Sequence, residues 1–272
     1  MVEPGATGGI LGVLHAHTTW SDGEFTLADL RETLLAEGCR FVALADHAEA
    51  FDREKLDAYV RECARCSDER FVFLPGLEFL CHARMHVAGY GCALPVQSQD
   101  PAEIIAHIVA AGGVAVLAHP REEHLQEFVS RGLGFHGLEA WNTKYDGQYA
   151  PRVALFDLVE RRRAAGADLH AFFGVDLHWV RQFRGLRTVI RSPSLRAADL
   201  LDGLRTGAFV GAVGELELAP DGSLPPAVRA VFVHANRRSA RVRRLLRGVA
   251  RLARRLGIPV PTALKNQIRR IM

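Results

Sequence analysis

Two histidines and an aspartate lie within eight residues near the start of the chain. His15 and His17 end a short apolar run, and Asp22 follows in a Ser-Asp-Gly turn. In a β-strand, residues i and i+2 point to the same face, so the two imidazoles are predicted to project together. Imidazoles and a carboxylate at this spacing are typical ligands of a divalent metal ion. For this stretch alone, a histidine-rich surface loop is the alternative interpretation.

Other apolar runs of the chain also end in, or begin with, a histidine or a carboxylate. They supply six further candidate ligands, which are His47, Glu78, His86, His119, Asp176 and His178. In parallel α/β folds, functional side chains gather at the carboxyl ends of the strands. With the first three residues, these groups are too many for one ion and enough for two or three. Glu78 is a candidate bridge between two ions.

The apolar runs alternate with amphipathic segments along the chain. Strands are predicted at 10–14, 41–47, 71–79, 86–90, 114–118, 137–142 and 171–175, and helices at roughly 27–37, 53–66, 101–111, 151–165 and 196–206. About seven strand–helix alternations favour a parallel βα barrel. Several strands are apolar throughout, as expected for parallel strands that are covered on both faces.

The charge of the chain changes sign near its C-terminal end. Residues 222–272 hold 13 basic and no acidic residues, whereas the first 221 hold 21 basic and all 31 acidic residues, a net charge of −10. We therefore expect two parts, a barrel at 1–221 and a basic extension at 222–272, separated by the turn-rich residues 220–226. An amphipathic helix is predicted from Ser239 to Gly257.

Composition limits the class of protein and the compartment. No run of 18 apolar residues indicates a membrane-spanning helix, and no secretory signal is recognised at the N-terminus. The five cysteines include one C-x-x-C pair, Cys63 and Cys66, without a second pair to complete a zinc site. We expect reduced thiols and a cytoplasmic protein.

The ligand motifs taken together resemble those of the PHP (polymerase and histidinol phosphatase) domain family. The motifs are His15-x-His17-Thr18, Ser21-Asp22-Gly23, Asp46-His47, Gly76-x-Glu78, His86, His119-Pro120 and Asp176-x-His178. The resemblance covers roughly residues 10–215 and implies a distorted (β/α)7 barrel with a TIM-like arrangement. It also implies a centre of two or three divalent metal ions, for which manganese, zinc and iron remain open.

The resemblance implies a division of the ligands among the ions. The first ion would be held by His15, His17, Glu78 and Asp176, the second by Glu78, His86 and His119, and the third by Asp22, His47 and His178. The expected activity is hydrolysis of a small phosphorylated substrate by a metal-activated hydroxide. Glu78, Asp176 and Arg121 are the predicted catalytic residues, and Arg121 would pair with phosphate oxygens. Lys144 is a further candidate phosphate contact, and Glu139 a candidate acceptor for a ligand histidine.

Several alternatives stay open at this point. His82 also follows Glu78, and His86 is preferred because it begins a predicted strand. The bond hydrolysed could instead be a cyclic phosphodiester, a nucleic-acid end or an amide, and a non-catalytic metal-stabilised module is a further alternative. For the basic extension, we weigh packing on the acidic barrel or a second subunit, a membrane surface, and nucleic acid.

Overall fold

The computed structural model describes residues 9–146 and 150–255, with only the backbone described at 243, 247 and 250–255. These residues form one mixed sheet of twelve strands with seven α-helices and three short 3-10 turns. The strands are β1 (Ile10–Ala16), β2 (Phe41–Leu44), β3 (Asp46–His47), β4 (Val72–Leu74), β5 (Gly76–Leu80), β6 (His86–Tyr90), β7 (Val114–Ala118), β8 (Gly137–Asn142), β9 (His170–Leu177), β10 (Arg187–Ile190), β11 (Phe209–Val213) and β12 (Leu216–Leu218). The helices are α1 (Leu27–Ala36), α2 (Arg53–Cys66), α3 (Pro101–Ala110), α4 (Glu122–Arg131), α5 (Val153–Ala164), α6 (Ala197–Thr206) and α7 (Pro226–Arg255).

The strand pairs trace the predicted distorted barrel. From β1 the pairing passes to β2 and β4, then from β5 through β6, β7 and β8 to β9, which pairs with β1 again. The ladder is interrupted where Ala45 separates β2 from β3 and where Pro75 separates β4 from β5. The α/β fold class with a TIM-like arrangement is thereby confirmed, and the apolar strands predicted from sequence form its buried wall.

One strand of the barrel runs against the direction that we predicted. The strand β6 is antiparallel to both β5 and β7, whereas the sequence pattern favoured a wholly parallel barrel. Only five residues separate β5 from β6, with a 3-10 turn at His82–Arg84. A parallel connection needs a dozen or more residues, so this short turn dictates a hairpin. The reversal brings the first residue of β6, His86, to the edge where the parallel strands end.

Four elements were not predicted from sequence. The strands β10, β11 and β12 extend the sheet as an antiparallel ladder that pairs with the first half of β1. Their burial is mixed, and only β11 has an apolar residue or glycine at every position. The helix α4 buries only His124 and Phe128. Only one of these two buried residues, Phe128, is apolar, and the other residues of the helix are partly or fully exposed.

The C-terminal helix is longer than the predicted one. The helix α7 begins at Pro226 rather than Ser239 and is described to Arg255, so the predicted end at Gly257 lies outside the described residues. Its first part packs against α5, and the side chain of Phe232 is buried beside Trp141 with ring centres 6.0 Å apart. Within residues 9–146 and 150–255, no helix is both long and apolar enough to cross a bilayer. The division into two parts near residue 221 stays a prediction.

Candidate metal centre

The two histidines of the first motif meet through a β-bulge rather than by simple alternation. His15 has a φ of +65°, and the pairing of β1 with β2 shifts between Leu14 and Ala16. His15 is the extra residue of this bulge, and its ring centre lies 5.2 Å from that of His17. The two rings lie together as we expected, but on a bulged strand rather than on a regular one.

Two other candidate ligands also have unusual backbone angles. Asp176 has a φ of +54° and His119 a φ of +26°. Non-glycine residues in this region cost free energy, and in proteins they concentrate at functional sites. The strain therefore coincides with the edge where the candidate ligands gather.

The structure brings all nine predicted ligands together at this edge of the barrel. Four sets of side chains have ligand atoms within 4.8 Å of one another; these sets are His15, His17 and Glu78; His15, His119 and Asp176; Glu78, His86 and His119; and His17, Asp22, His47 and His178. Glu78 belongs to two sets, as expected of a bridging carboxylate. His17 also belongs to the set that contains Asp22. The family resemblance implied different ions for His17 and Asp22. Ligation itself stays a prediction.

Unsatisfied nitrogen atoms in the cluster show that a metal ion fits it. In the described part of the chain, Nε2 of His15 and both ring nitrogens of His17 are buried without a hydrogen-bond partner. An unpaired buried polar atom costs free energy, and native structures rarely leave one without a reason. Divalent ions take both imidazole nitrogen and carboxylate oxygen as ligands, so this donor set suits them.

A buried carboxylate outside the ligand set orients His15. Glu139 Oε1 lies 2.7 Å from Nδ1 of His15, and Glu139 Oε2 accepts hydrogen bonds from the backbone of His119 and the amide of Asn142. With the Nδ1 proton on this bond, Nε2 of His15 is left as the free donor to a metal. The hydrogen bond anticipated for Glu139 is therefore present.

Asp46 holds the first loop, a role that the sequence did not assign to it. The carboxylate accepts hydrogen bonds from the backbone and hydroxyl of Thr18 and from the hydroxyl of Ser21. Burial raises the pKa of Asp46, while these hydrogen bonds act in the opposite direction. The signal that could have identified it was its place directly before His47, at the end of an apolar strand.

The cluster contains opposing electrostatic effects. Burial lowers the pKa of His17 well below its usual value. Burial also opposes protonation of His15 and His119, but Glu139, Asp176 and Glu78 outweigh it, so the pKa of each is raised. Burial acts to raise the pKa values of Glu78 and Asp176, yet the neighbouring histidines, and Lys144 beside Asp176, lower both. The two carboxylates are therefore ionised and available as ligands.

Of the two basic residues predicted to contact phosphate, Lys144 contacts the candidate ligands and Arg121 does not. Its Nζ lies 2.8 Å from Oδ1 of Asp176 and 3.4 Å from the ring nitrogens of His178. Arg121 instead donates to the carbonyl of Ala83 and lies beside Glu123 and His124.

His82 points away from the cluster. Its ring nitrogens contact the carboxylate of Glu127 on α4 and the carbonyl of Gln99. The geometry therefore agrees with the preference for His86, which lies 3.1 Å from Glu78.

Comparisons with known proteins find a similarity in fold to solved structures and a short similarity in sequence. No family model matches the chain. A two-domain protein from Bacteroides vulgatus that contains a predicted PHP-like metal-dependent phosphoesterase superposes with a TM-score of 0.59 at 13% identity, covering 85% of this chain and 71% of that chain. A protein from Bifidobacterium adolescentis, described as a candidate metal-dependent phosphoesterase, gives a TM-score of 0.44 at 18% identity, covering 61% and 87%.

The sequence similarity is to the DNA polymerase/3'-5' exonuclease PolX of Bacillus subtilis. The two chains are 32% identical over 79 residues, which cover 26% of this chain and only 14% of that protein. PolX is thus similar to this chain over a short segment of its own length. The overall architecture matches the Bacteroides vulgatus structure much more widely. The chain has a PHP-like fold, with a buried cluster of histidines and carboxylates suited to metal ions at one edge of its barrel.

Proposed function

We propose that the protein is a metal-dependent phosphoesterase whose ions are held by the nine clustered side chains. The observation that carries the proposal is the convergence of His15, His17 and Glu78 with unsatisfied ring nitrogens at the strand ends. Divalent ions at such a site supply a Lewis acid for phosphoryl oxygens and lower the pKa of coordinated water.

Separate roles are proposed for Glu78, Asp176, Lys144 and Arg121. Glu78 holds two ligand sets together, since it lies within 3.5 Å of His15, His86 and His119. Asp176 belongs to the set with His15 and His119 and also contacts Lys144. The Lys144 side chain is 28% exposed, and its proposed role is to neutralise charge on a phosphoryl group. Arg121 is proposed to approach phosphate only after leaving its present partners, because its Nη2 donates to the carbonyl of Ala83 and its Nε pairs with Glu123.

The number of ions, the metal, the compartment and the substrate are proposed from the chemistry of the residues and from the short similarity to PolX. Two or three ions fit the four overlapping ligand sets, and a mixed histidine and carboxylate set does not separate manganese, zinc and iron. A cytoplasmic location is proposed because all five cysteines are free thiols and four of them are buried. A small phosphorylated compound is the proposed substrate, and the short similarity to PolX makes an oligonucleotide end the first alternative.

Activity assays with defined metals test this proposal. The purified chain is stripped with a chelator, reloaded with manganese, zinc or iron, and assayed on phosphomonoesters, cyclic phosphodiesters, short oligonucleotides and amides. We expect metal-dependent release of phosphate that is lost in His15→Ala. Stoichiometric metal binding without turnover on any of these substrates would contradict a hydrolase. Turnover of amides alone would contradict a phosphoesterase.

A further inference from the structure

The first part of α7 is fixed to the barrel by contacts with α5. Arg229 pairs with Asp157 at 2.7 Å, and the amide side chain of Asn236 accepts from the backbone of Val153 and donates to the carbonyl of Pro151. Later residues of α7 thus contact earlier residues of α5, so the two helices are antiparallel. The start of α5 lies beyond the carboxyl end of β8, and α7 therefore runs toward the edge with the candidate ligands.

The rest of α7 extends past that edge. The ring of Phe232 packs on Trp141, the penultimate residue of β8, so Phe232 marks the level of the strand ends. The helix continues to Arg255, and we call residues 237–255 the projecting segment. At 1.5 Å per residue this segment is roughly 28 Å long.

The described side chains of the projecting segment combine an apolar stripe with exposed arginines. Val242, Leu245 and Val249 are spaced for one helix face and are 38%, 68% and 53% exposed. Arg237, Arg238, Arg241 and Arg244 are also exposed, and none forms an ion pair with any described residue. No aspartate or glutamate follows Asp221 in the sequence, so nothing on the helix itself neutralises these charges.

We propose that the projecting segment docks on an anionic lipid surface. An interfacial helix inserts an aliphatic face between acyl chains while flanking arginines bind acidic headgroups, and the segment offers both features. A second copy of the helix fits poorly because it would bring two rows of arginines together without a carboxylate. Nucleic acid would use the arginines but leave the exposed aliphatic stripe in water, and the segment has no aromatic residue for stacking on bases.

Vesicle sedimentation with the full chain tests this proposal. We expect the protein to sediment with vesicles that contain phosphatidylserine and to stay in the supernatant with phosphatidylcholine alone. Each arginine removed in Arg237→Gln and Arg241→Gln is expected to weaken binding roughly fivefold. The matched charge control is Arg61→Gln with Arg191→Gln, since both are exposed arginines elsewhere that form no ion pair among the described residues.

The apolar stripe is tested separately from the charge. Leu245→Asp is expected to abolish sedimentation, whereas Val109→Asp, at a 47% exposed position on α3, is expected to leave it unchanged. Failure of the unmodified chain to bind phosphatidylserine vesicles would overturn the proposal. It would also be overturned if Leu245→Asp and Val109→Asp bound vesicles equally well, if an oligonucleotide bound in place of lipid, or if light scattering showed that Leu245→Asp dissociates a dimer.

Discussion

At the level of single residues, the candidate centre depends on two kinds of side chain. Some side chains can bind a metal ion, and others orient those ligands by hydrogen bonds. Glu78 is 2% exposed and lies within 3.5 Å of four histidines, while Glu139 is fully buried and contacts His15 from the side away from the cluster. The same residue type therefore serves as a candidate ligand in one place and as an orienting acceptor in the other. Two substitutions separate these roles.

The first substitution removes the shared carboxylate. Glu78→Gln keeps the size of the side chain but removes its charge, so two ligand sets lose their common anion. We expect bound metal to fall and the rate of phosphoester hydrolysis to drop by at least roughly 100-fold. Metal content by emission spectroscopy and steady-state rates measure these effects. His82→Gln, outside the cluster, is the control, and equal losses in the two variants would contradict the assignment.

The second substitution removes the charge that orients His15. Glu139→Gln is expected to lower metal affinity by roughly 10- to 100-fold while the protein still folds, because the proton on Nδ1 is no longer held by a carboxylate. Metal titration of the chelated protein gives the affinity, and Glu123→Gln on the surface is the matched control. If saturating metal does not restore part of the lost activity, Glu139 has a role other than orientation.

At the level of elements, local irregularities of the strands position the side chains of the candidate centre. The bulge at His15, the register shift of β8 between Glu139 and Trp141, and the reversed strand β6 each redirect a side chain. Bulges increase strand twist and re-aim residues, and they are common next to active sites. The backbone of β9 must also lie close to the side chain of Glu139, and this close approach occurs at Gly174.

Gly174 leaves the space that the Glu139 carboxylate occupies. A Cβ atom at this position would lie 1.9 Å from Oε1 of Glu139. Gly174→Ala is therefore expected to displace Glu139, to destabilise the fold by about 1–3 kcal/mol and to weaken metal binding. Denaturant unfolding and metal titration measure the two effects. Gly134→Ala is the control because no atom lies within 4 Å of its Cβ position, and matching behaviour of the two variants would refute the packing argument.

At the level of the whole molecule, metal binding is coupled to protonation and to stability. The pKa values of His15 and His119 are raised, so protonated forms contribute stability below their unfolded pKa, and that contribution is lost as pH rises through the folded pKa. Ligand histidines must be neutral, so metal binding displaces these protons. The carboxylates have lowered pKa values and release none near neutral pH.

Proton release on metal binding is the measurable consequence. We expect metal affinity to increase with pH, and the metal-stripped protein to lose thermal stability as pH rises from neutral while the loaded protein does not. Calorimetry in buffers of different ionisation enthalpy counts the released protons. A binding enthalpy that does not depend on the buffer would show that both histidines are already neutral.

Truncation of α7 separates its packed part from the projecting segment. A chain ending at Asn236 keeps Phe232, so we expect its thermal stability and hydrolytic activity to match those of the full chain. A chain ending at Pro225 loses the Phe232 side chain. Removal of a buried phenylalanine lowers the free energy of unfolding by about 3–5 kcal/mol. Unfolding curves of the two truncations test this difference. Destabilisation of the longer one would show that the projecting segment also packs on the barrel.

Much of the barrel was predictable because its parallel strands are covered on both faces and are therefore apolar throughout. The bounds of β7, β8 and α2 agree with the predicted ranges. The strands β10 to β12 were not predictable in the same way, since their burial is mixed and β10 joins them to the first half of β1, which is remote in sequence. Local pattern carries no information about such remote pairing.

The residue types near the strand ends can be read from the amino-acid sequence, and together with the family resemblance they were enough to predict all nine side chains of the cluster. How these side chains meet depends on the folded structure, because ligand atoms within 4.8 Å come from segments far apart in the chain. It placed Lys144 rather than Arg121 against the candidate ligands and turned His82 toward Glu127. It also made Asp46 the support of the first loop and showed that the histidine held by Glu139 is His15, since hydrogen bonds between distant segments depend on packing that no spacing rule encodes.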